Sequence, residues 1–187
     1  MRREQLEHAI RTACQIICRP EVIVVGSQSI LGTFREDELP IYATMSGEID
    51  ILPIADSDQE TAQLADLIEG VAGEFSPFDQ QYGFCIDGVD LQTSALPEGW
   101  RDRLVRVQNA NTADISGSQQ FIGWCLDPAD LCVAKLCALR EKDRNFVSAL
   151  LGAELVDSAV VAARLVTVPE RYEAAAGRAA EWLASWA

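Results

Sequence analysis

A run of β-branched residues at 22–25, followed at once by Gly26-Ser27, constrains the fold of this chain more than any other segment. Such a run predicts a buried strand, and the Gly-Ser pair after it predicts a tight turn into a helix. A second apolar run begins with Glu48-Ile49-Asp50. Because side chains alternate along a strand, Glu48 and Asp50 should point to the same face.

These two segments together indicate phosphate chemistry. Glycine at 26 would let the backbone approach a ligand closely, and the start of a helix offers free N–H groups to phosphate. Two adjacent carboxylates repel each other unless a divalent cation neutralises them, and their oxygen atoms suit Mg²⁺. A phosphate turn beside a metal-binding pair fits phosphoryl or nucleotidyl transfer. An ordinary strand-to-helix turn at Gly26-Ser27 and a solvated strand end at Glu48 and Asp50 remain open alternatives.

Composition narrows the class of protein. The chain has 187 residues and a formal net charge of −14, and 49% of its residues are hydrophobic. That length suits one domain with a helical extension. No apolar run approaches the ~20 residues of a membrane span, and the first residues lack a signal-peptide core, so we expect a cytoplasmic location and no membrane contact. The negative charge opposes general attraction to nucleic acid.

The cysteines and the histidine do not predict a zinc site. Six cysteines stand among apolar residues without a Cys-x₂-Cys pair, which favours free buried thiols over disulfides or metal ligands. The one histidine, His8, is expected at the surface or at the edge of the core.

Hydrophobic periodicity predicts a mixed β/α region followed by helices, which is an α/β (α+β) fold. We expect an α/β core over residues 1–126 and a helical C-terminal region over 127–187, packed together or forming a single domain. The predicted helices are 3–18, 27–34, 59–72 with Asp58 as its cap, 128–151 with Asp127 as its cap, 157–165 and 169–185. The predicted strands are 21–25, 48–54, 82–86, 104–107 and 121–126; the predicted loops or turns are 35–47, 73–80, 87–88 and 108–118.

Lysine is scarce and clustered. The chain has two lysines, Lys135 and Lys142, seven positions apart on one predicted helix and therefore on one face. Lys135 is surrounded by leucine and alanine, so its stem should be packed while its amine reaches a partner; snorkelling to solvent is the alternative.

The order of these motifs resembles that of a known family. Gly26-Ser27 and Glu48-Ile49-Asp50 resemble the signature of the DNA polymerase β-type nucleotidyltransferases. Residues 126–144, with Lys135 and the Arg-Glu-Lys-Asp sequence at 140–143, resemble the helix motif of bacterial nucleotidyltransferases related to the AbiEii toxins. The resemblance covers about residues 1–165.

The resemblance implies roles for individual residues. Gly26 and Ser27 would hold the β- and γ-phosphates of a nucleotide, and Glu48 and Asp50 would bind the metal. Lys135 would contact the triphosphate or the charge of the transition state. The remaining implied nucleotide-binding residues are Arg140, Lys142 and Asp143; the alternative role for Asp143 is to orient a basic neighbour. A third carboxylate, Asp87 or Asp90, is a candidate general base, although Asp87-Gly88 also reads as a turn.

The sequence therefore predicts an Mg²⁺-dependent enzyme that transfers a nucleoside monophosphate from an NTP to an acceptor hydroxyl. The acidic charge favours a small molecule or a protein as acceptor over tRNA. The alternative is a catalytically inactive nucleotide-binding or interaction module, with a protein partner as in a toxin–antitoxin pair, or a homo-oligomer. Glutamate at the first metal position and the absence of a clear third carboxylate motivate this alternative.

Overall fold

A computed structural model describes residues 1–90 and 94–186 and confirms the α/β (α+β) fold. The strands are β1 (Glu21–Val24), β2 (Glu48–Pro53), β3 (Cys85–Gly88), β4 (Val105–Val107) and β5 (Ile122–Cys125). The helices are α1 (Arg3–Ile17), α2 (Ile41–Thr44), α3 (Asp58–Ala72), α4 (Pro77–Tyr82), α5 (Pro128–Ala138), α6 (Glu141–Gly152), α7 (Ser158–Leu165) and α8 (Glu173–Trp186). Short 3₁₀ helices cover Ser27–Gly32, Trp100–Arg103, Ala110–Thr112 and Glu170–Tyr172.

The five strands form one mixed sheet in the order β3-β2-β1-β5-β4. Strand β1 runs antiparallel to β2 and parallel to β5, while β3 runs parallel to β2. The end of β1 therefore lies beside the start of β2, because antiparallel neighbours bring opposite ends together. This topology brings Gly26-Ser27 next to the Glu48-Ile49-Asp50 segment.

Two glycines let helices pack closely on the sheet. A Cβ atom on Gly123 of β5 would lie 2.2 Å from Cδ1 of Ile10 in α1. A Cβ atom on Gly88 of β3 would lie 1.9 Å from the carbonyl oxygen of Ala65 in α3. Both separations are far below van der Waals contact, so the two helices approach as they do only because these strand positions lack side chains.

The C-terminal helices pack around α5, which is almost wholly buried. A single cluster of buried apolar side chains runs from Leu6 in α1 through the sheet to Leu183 in α8. Residues on both sides of position 126 thus contribute to one core. The division of the chain into 1–126 and 127–187 stays a proposal.

The sequence-based prediction was wrong for the segment before β3. Residues 73–80 were expected to form a loop and 82–86 a strand, but α4 occupies Pro77–Tyr82 and β3 covers Cys85–Gly88. Ser76 caps α4 by accepting from the N–H of Asp79, and Pro77 fits its first turn. The expected turn at Asp87-Gly88 is wrong because both residues belong to β3.

The long helix expected over 128–151 is two helices. Leu139 has a left-handed backbone with φ of 53° and ends α5, and α6 begins after Arg140. Lys135 and Lys142 therefore lie on different helices, not on one face of the same helix. At the start of α3, the cap is Ser57 and not Asp58, because the Ser57 side chain accepts from the N–H of Glu60.

The expectation about thiols is confirmed in part. All six cysteines are free; five are buried and Cys18 is exposed. His8 is half-buried against the rings of Phe78, Tyr82 and Phe84. Among the described residues, no helix has the length and apolar character that crossing a membrane requires.

Candidate active site

The turn after β1 is shaped by Asp50. The N–H of Val25 donates to the carbonyl oxygen of Asp50 across the two strands at 3.1 Å. A Cβ atom on Gly26 would lie 1.4 Å from Oδ2 of Asp50. The Asp50 carboxylate thus occupies the volume that any side chain at position 26 would need. Because Gly26 has a φ of −74°, steric room and not backbone conformation is what requires glycine there.

The helix after this turn differs from the expected one. Ser27–Gly32 is a six-residue 3₁₀ helix. So short a helix has little macrodipole, so anion binding here would depend on side chains more than on the helix start. Ser27 supplies one of these side chains.

Glu48 and Asp50 lie two positions apart in β2 and both line one cavity beside Gly26. Burial raises the pKa of the Asp50 carboxyl to about 6, with further contributions from the charges of Glu48 and Asp87; Lys135 and Lys142 partly offset them. Asp50 therefore lies close to other negatively charged carboxylates. Carboxylate oxygens grouped in this way, with the Ser27 hydroxyl nearby, are the kind of metal ligands that Mg²⁺ prefers, so these residues fit the ion.

Lys135 reaches this turn from α5. Its Nζ donates to Oγ of Ser27 at 2.9 Å and to Oδ1 of Asp143 at 3.3 Å, and lies 4.5 Å from the centre of the Phe146 ring. Its side chain is 11% exposed. Burial lowers the pKa of the Lys135 ammonium, while the neighbouring Asp143 acts in the opposite direction. The packed stem and directed amine expected for Lys135 are what the structure shows.

Asp143 lies behind the cavity and orients its cations. Its carboxylate is fully buried and accepts from Nε of Arg140 at 2.6 Å as well as from Lys135. Burial acts to raise the pKa of Asp143, but the hydrogen bond from Arg140 and the charge of Lys135 together lower it. A carboxylate held in this way is unavailable to substrate, so its contacts are those of a residue that positions Lys135 and Arg140.

One open cavity of about 220 Å³ collects the predicted site residues. Seven of the eight nominated residues line it, and the eighth, Asp143, is buried behind it. These seven are Gly26, Ser27, Glu48, Asp50, Lys135, Arg140 and Lys142. They come from the turn after β1, from β2, from α5 and from the start of α6. The cavity, which we call the cleft, thus combines two carboxylates with three cations and a hydroxyl.

Of the two candidate third carboxylates, Asp87 lies in register with Asp50 on the neighbouring strand β3. Burial raises the pKa of Asp87, as do the charges of Glu48 and Glu69. Asp87 lines a different, acidic depression near the end of α3 and does not line the cleft. Within residues 1–90 and 94–186, no three His, Cys, Asp or Glu side chains are grouped closely enough to hold a metal ion. A metal in the cleft would thus rely on Glu48 and Asp50 from the protein.

The sequence did not reveal the remaining cleft residues. Val25, Val89, Ser94, Leu131, Ala134 and Ala138 also line it. Ser94 lies in a segment without periodicity, so no sequence signal identified it. The role of Asp130 was also missed: this buried residue lies in the helix motif at 126–144, which assigned it no function, and it binds Arg103 and Arg164.

A family model described as "Nucleotidyltransferase of unknown function (DUF6036)" matches residues 4–182. The chain belongs to this family. No curated protein and no solved structure matches the chain. Membership of the family agrees with the nucleotidyltransferase resemblance seen in the sequence, and the finer relation to the AbiEii toxins stays a prediction.

Proposed function

We propose that this member of the family is an active, Mg²⁺-dependent nucleotidyltransferase. It would transfer a nucleoside monophosphate from an NTP to an acceptor hydroxyl and release pyrophosphate. The observation that carries the proposal is the contact of Lys135 Nζ with Ser27 Oγ at 2.9 Å, in the same cleft as Glu48 and Asp50. A phosphate-binding turn, a buried cation and a carboxylate pair meet there from three separate segments of the chain.

The cations of the cleft suit a triphosphate. Lys135 and the Ser27 hydroxyl would hold its terminal phosphates, and Arg140 and Lys142 line the same opening from the start of α6. Binding a triphosphate would supply Lys135 with a second anionic partner besides Asp143. Charge-assisted hydrogen bonds of this kind are the strong ones in proteins, and their fixed geometry is what stabilises charge in a phosphoryl transition state.

Glu48 and Asp50 would hold the metal. When bound, Mg²⁺ supplies neutralisation of phosphate charge and alignment of the reacting oxygens. The raised pKa of Asp50 reflects burial and repulsion from other carboxylates, which a divalent cation would relieve. Metal and nucleotide should therefore bind together.

The transfer itself is a displacement at the α-phosphorus. The acceptor oxygen forms a bond to this phosphorus, and the bond to the pyrophosphate oxygen breaks. The hydroxyl proton would go to a carboxylate, for which Asp87 and Asp90 are the candidates. Asp87 lies in register with Asp50 but lines the neighbouring depression, so it would have to accept the proton from beside the cleft. The net charge of −14 favours a small molecule or a protein over tRNA as acceptor.

Incubation with Mg²⁺, each α-³²P-labelled NTP and separate pools of small molecules, proteins and RNA tests the proposal. We expect label to enter one pool, and Asp50→Asn to reduce the transfer by several orders of magnitude. No transfer to any pool together with no NTP binding by calorimetry would overturn the proposal. Transfer to RNA alone would overturn the ranking of acceptors.

One observation favours the rival function, an inactive nucleotide-binding module with a protein partner of the toxin–antitoxin kind. The described residues contain no cluster of three metal-ligating side chains, and active enzymes of this chemistry often use a third carboxylate. In that case NTP would bind equally well without Mg²⁺ and with Asp50→Asn. The enzyme proposal requires both changes to weaken binding.

A further inference from the structure

A second cavity, of about 210 Å³, adjoins the cleft. Ser94 lines both cavities. The walls of the second are Trp100 and Arg101 on one side and Arg171 and Tyr172 on the other, and we call it the Trp100–Tyr172 groove. Neither the family match nor the motifs of the sequence assign a role to any of these residues.

Two arginine–aromatic pairs face this groove. The Arg101 guanidinium lies 4.6 Å from the ring centre of Trp100, and that of Arg171 lies 4.9 Å from the ring centre of Tyr172. None of the described groove residues carries a carboxylate. In the part of the chain that the structure describes, Arg101 and Arg171 make no ion pair. The next arginine along the chain, Arg103, is by contrast bound to Asp130. In a chain of net charge −14, this is a local cationic site with flat apolar faces.

Asp130 fixes both walls of the groove. Its buried carboxylate accepts from Nε of Arg103 at 2.9 Å and from Nη1 of Arg164 at 3.0 Å. Arg103 ends the 3₁₀ helix that carries Trp100 and Arg101, and Arg164 lies in α7, shortly before Arg171. The N–H of Glu98 also donates to the carbonyl oxygen of Thr167, between the two walls, at 3.0 Å.

Asp130 also belongs to α5, the helix that carries Lys135. The positions of the groove and of the cleft therefore both depend on α5. A groove held by buried ion pairs is preformed, and a preformed site loses less conformational entropy when it binds a ligand.

We propose that the Trp100–Tyr172 groove binds the acceptor, a small hydroxylated molecule with an anionic group on a planar or apolar body. Arg101 and Arg171 would bind the phosphate or carboxylate, and the rings of Trp100 and Tyr172 would contact the body. Since the groove meets the cleft at Ser94, the acceptor hydroxyl would extend past Ser94 toward Asp50. This role rests on the proposed nucleotidyl transfer, whereas the anion-binding property of the groove does not.

Three probes test the groove without any knowledge of the natural acceptor: 4-nitrophenyl phosphate, 4-nitrobenzoate and the neutral 4-nitrobenzyl alcohol. Indole N–H signals from ¹⁵N-tryptophan-labelled protein report binding, and Trp100→Phe identifies the Trp100 signal. We expect at least one anion to shift that signal saturably, and the neutral probe to bind roughly tenfold more weakly. The phosphate and carboxylate arms decide which anion is preferred.

Arg101→Ala and Arg171→Ala should each lower the affinity for the anionic probe by about tenfold. Arg178→Ala, which removes an exposed arginine from α8 outside the groove, is the matched control and should leave binding unchanged. No saturable shift of Trp100 at millimolar probe, or equal binding of the neutral probe, would overturn the proposal.

Calorimetry with Mg²⁺ and NTP separates this inference from the proposed function. The Arg101→Ala/Arg171→Ala double variant should bind NTP as the wild type does, because the triphosphate occupies the cleft. If the double variant loses NTP affinity as strongly as probe affinity, the groove holds the nucleotide and the acceptor proposal is wrong. If the wild type binds the anionic probe but no NTP, the proposed function fails, while anion binding by the groove stands.

Discussion

Gly26 and Asp50 share one volume: the carboxylate of Asp50 lies where the side chain of any other residue at position 26 would have to be. Gly26 lies two residues after β1 and Asp50 lies in β2, and the antiparallel pairing of these strands brings the two residues together. The glycine of the turn and the carboxylate of β2 therefore form a single structural unit. A substitution at either residue should therefore alter the position of the other.

Gly26→Ala should displace the Asp50 carboxylate and lower the affinity for Mg²⁺ and NTP. We expect the free energy of unfolding to fall by about 1–3 kcal/mol, the usual cost of overpacking. Gly177→Ala is the control, because a Cβ atom there meets no other atom within 4 Å and alanine favours helix α8. Urea denaturation and calorimetry measure both effects. A Gly26→Ala protein with normal NTP affinity would show that the position of Asp50 is unimportant.

Asp50→Asn should stabilise the metal-free protein in a pH-dependent way. The folded-state pKa of about 6 exceeds the ordinary value of 3.8, so the folded protein holds this proton more tightly than the unfolded chain. Stability from this group is present below the unfolded pKa and is lost as the pH rises through 6. In chelator, the gain from Asp50→Asn should therefore grow from near zero at about pH 4 to on the order of 2 kcal/mol at about pH 7.

Denaturant unfolding at several pH values measures this gain. Glu181→Gln, which neutralises an exposed carboxylate in α8, is the control and should change stability little at any pH. A gain from Asp50→Asn that does not vary with pH would contradict the crowding of charge around Asp50.

The two lysines should respond differently to replacement by methionine. Lys135→Met removes the cation that contacts Ser27 and leaves the buried Asp143 with Arg140 alone, so we expect a loss of about 1–3 kcal/mol in stability and about hundredfold weaker NTP binding. Lys142→Met removes an exposed charge at the rim of the cleft. It should weaken NTP binding by about tenfold with little change in stability. Calorimetry and thermal unfolding measure both effects. Larger losses for Lys142→Met than for Lys135→Met would reverse the assignment of roles.

Asp130→Asn should destabilise the fold. It removes the charge that Arg103 and Arg164 now share, while Arg164 keeps Asp127 as a partner and both arginines are partly exposed, so we expect a loss of about 1–3 kcal/mol in the free energy of unfolding. Asp102→Asn, an exposed neighbour in the 3₁₀ helix, is the control. Equal stability of the two variants by urea denaturation would remove the structural basis for a preformed groove.

Regular elements with clear periodicity could be predicted from the sequence. Leu6, Ile10 and Cys14 recur at helical spacing and are all fully buried in α1. The run at 22–25 is buried as expected, and its first three residues lie in β1. The errors arose where local signals were short or absent: α4 has six residues and buries none of them, so its pattern resembled a loop. The break at Leu139 lacks a glycine or proline, and the ion pairs of Asp143 with Lys135 before the break and with Arg140 after it stabilise it instead.

The cleft was more predictable than the groove for a physical reason. Glu48 and Asp50 lie two positions apart on one strand and so share a face, and Gly26-Ser27 closely follows another strand. The proximity of the two motifs is therefore encoded in local sequence patterns and one strand pairing. Arg101 and Arg171 are distant in the sequence and each resembles an ordinary surface charge. Only the folding of α7 back onto α5 through Asp130 brings them to one groove, and no local pattern carries that information.

Calorimetric titration of the protein with each of the four NTPs, with Mg²⁺ and with chelator, is the most direct test of the cleft as a metal–nucleotide site. We predict saturable binding of at least one NTP in Mg²⁺, weakened at least tenfold by chelator and by Asp50→Asn. Binding that is indifferent to both changes, or no binding of any NTP by a folded wild-type protein, would contradict it.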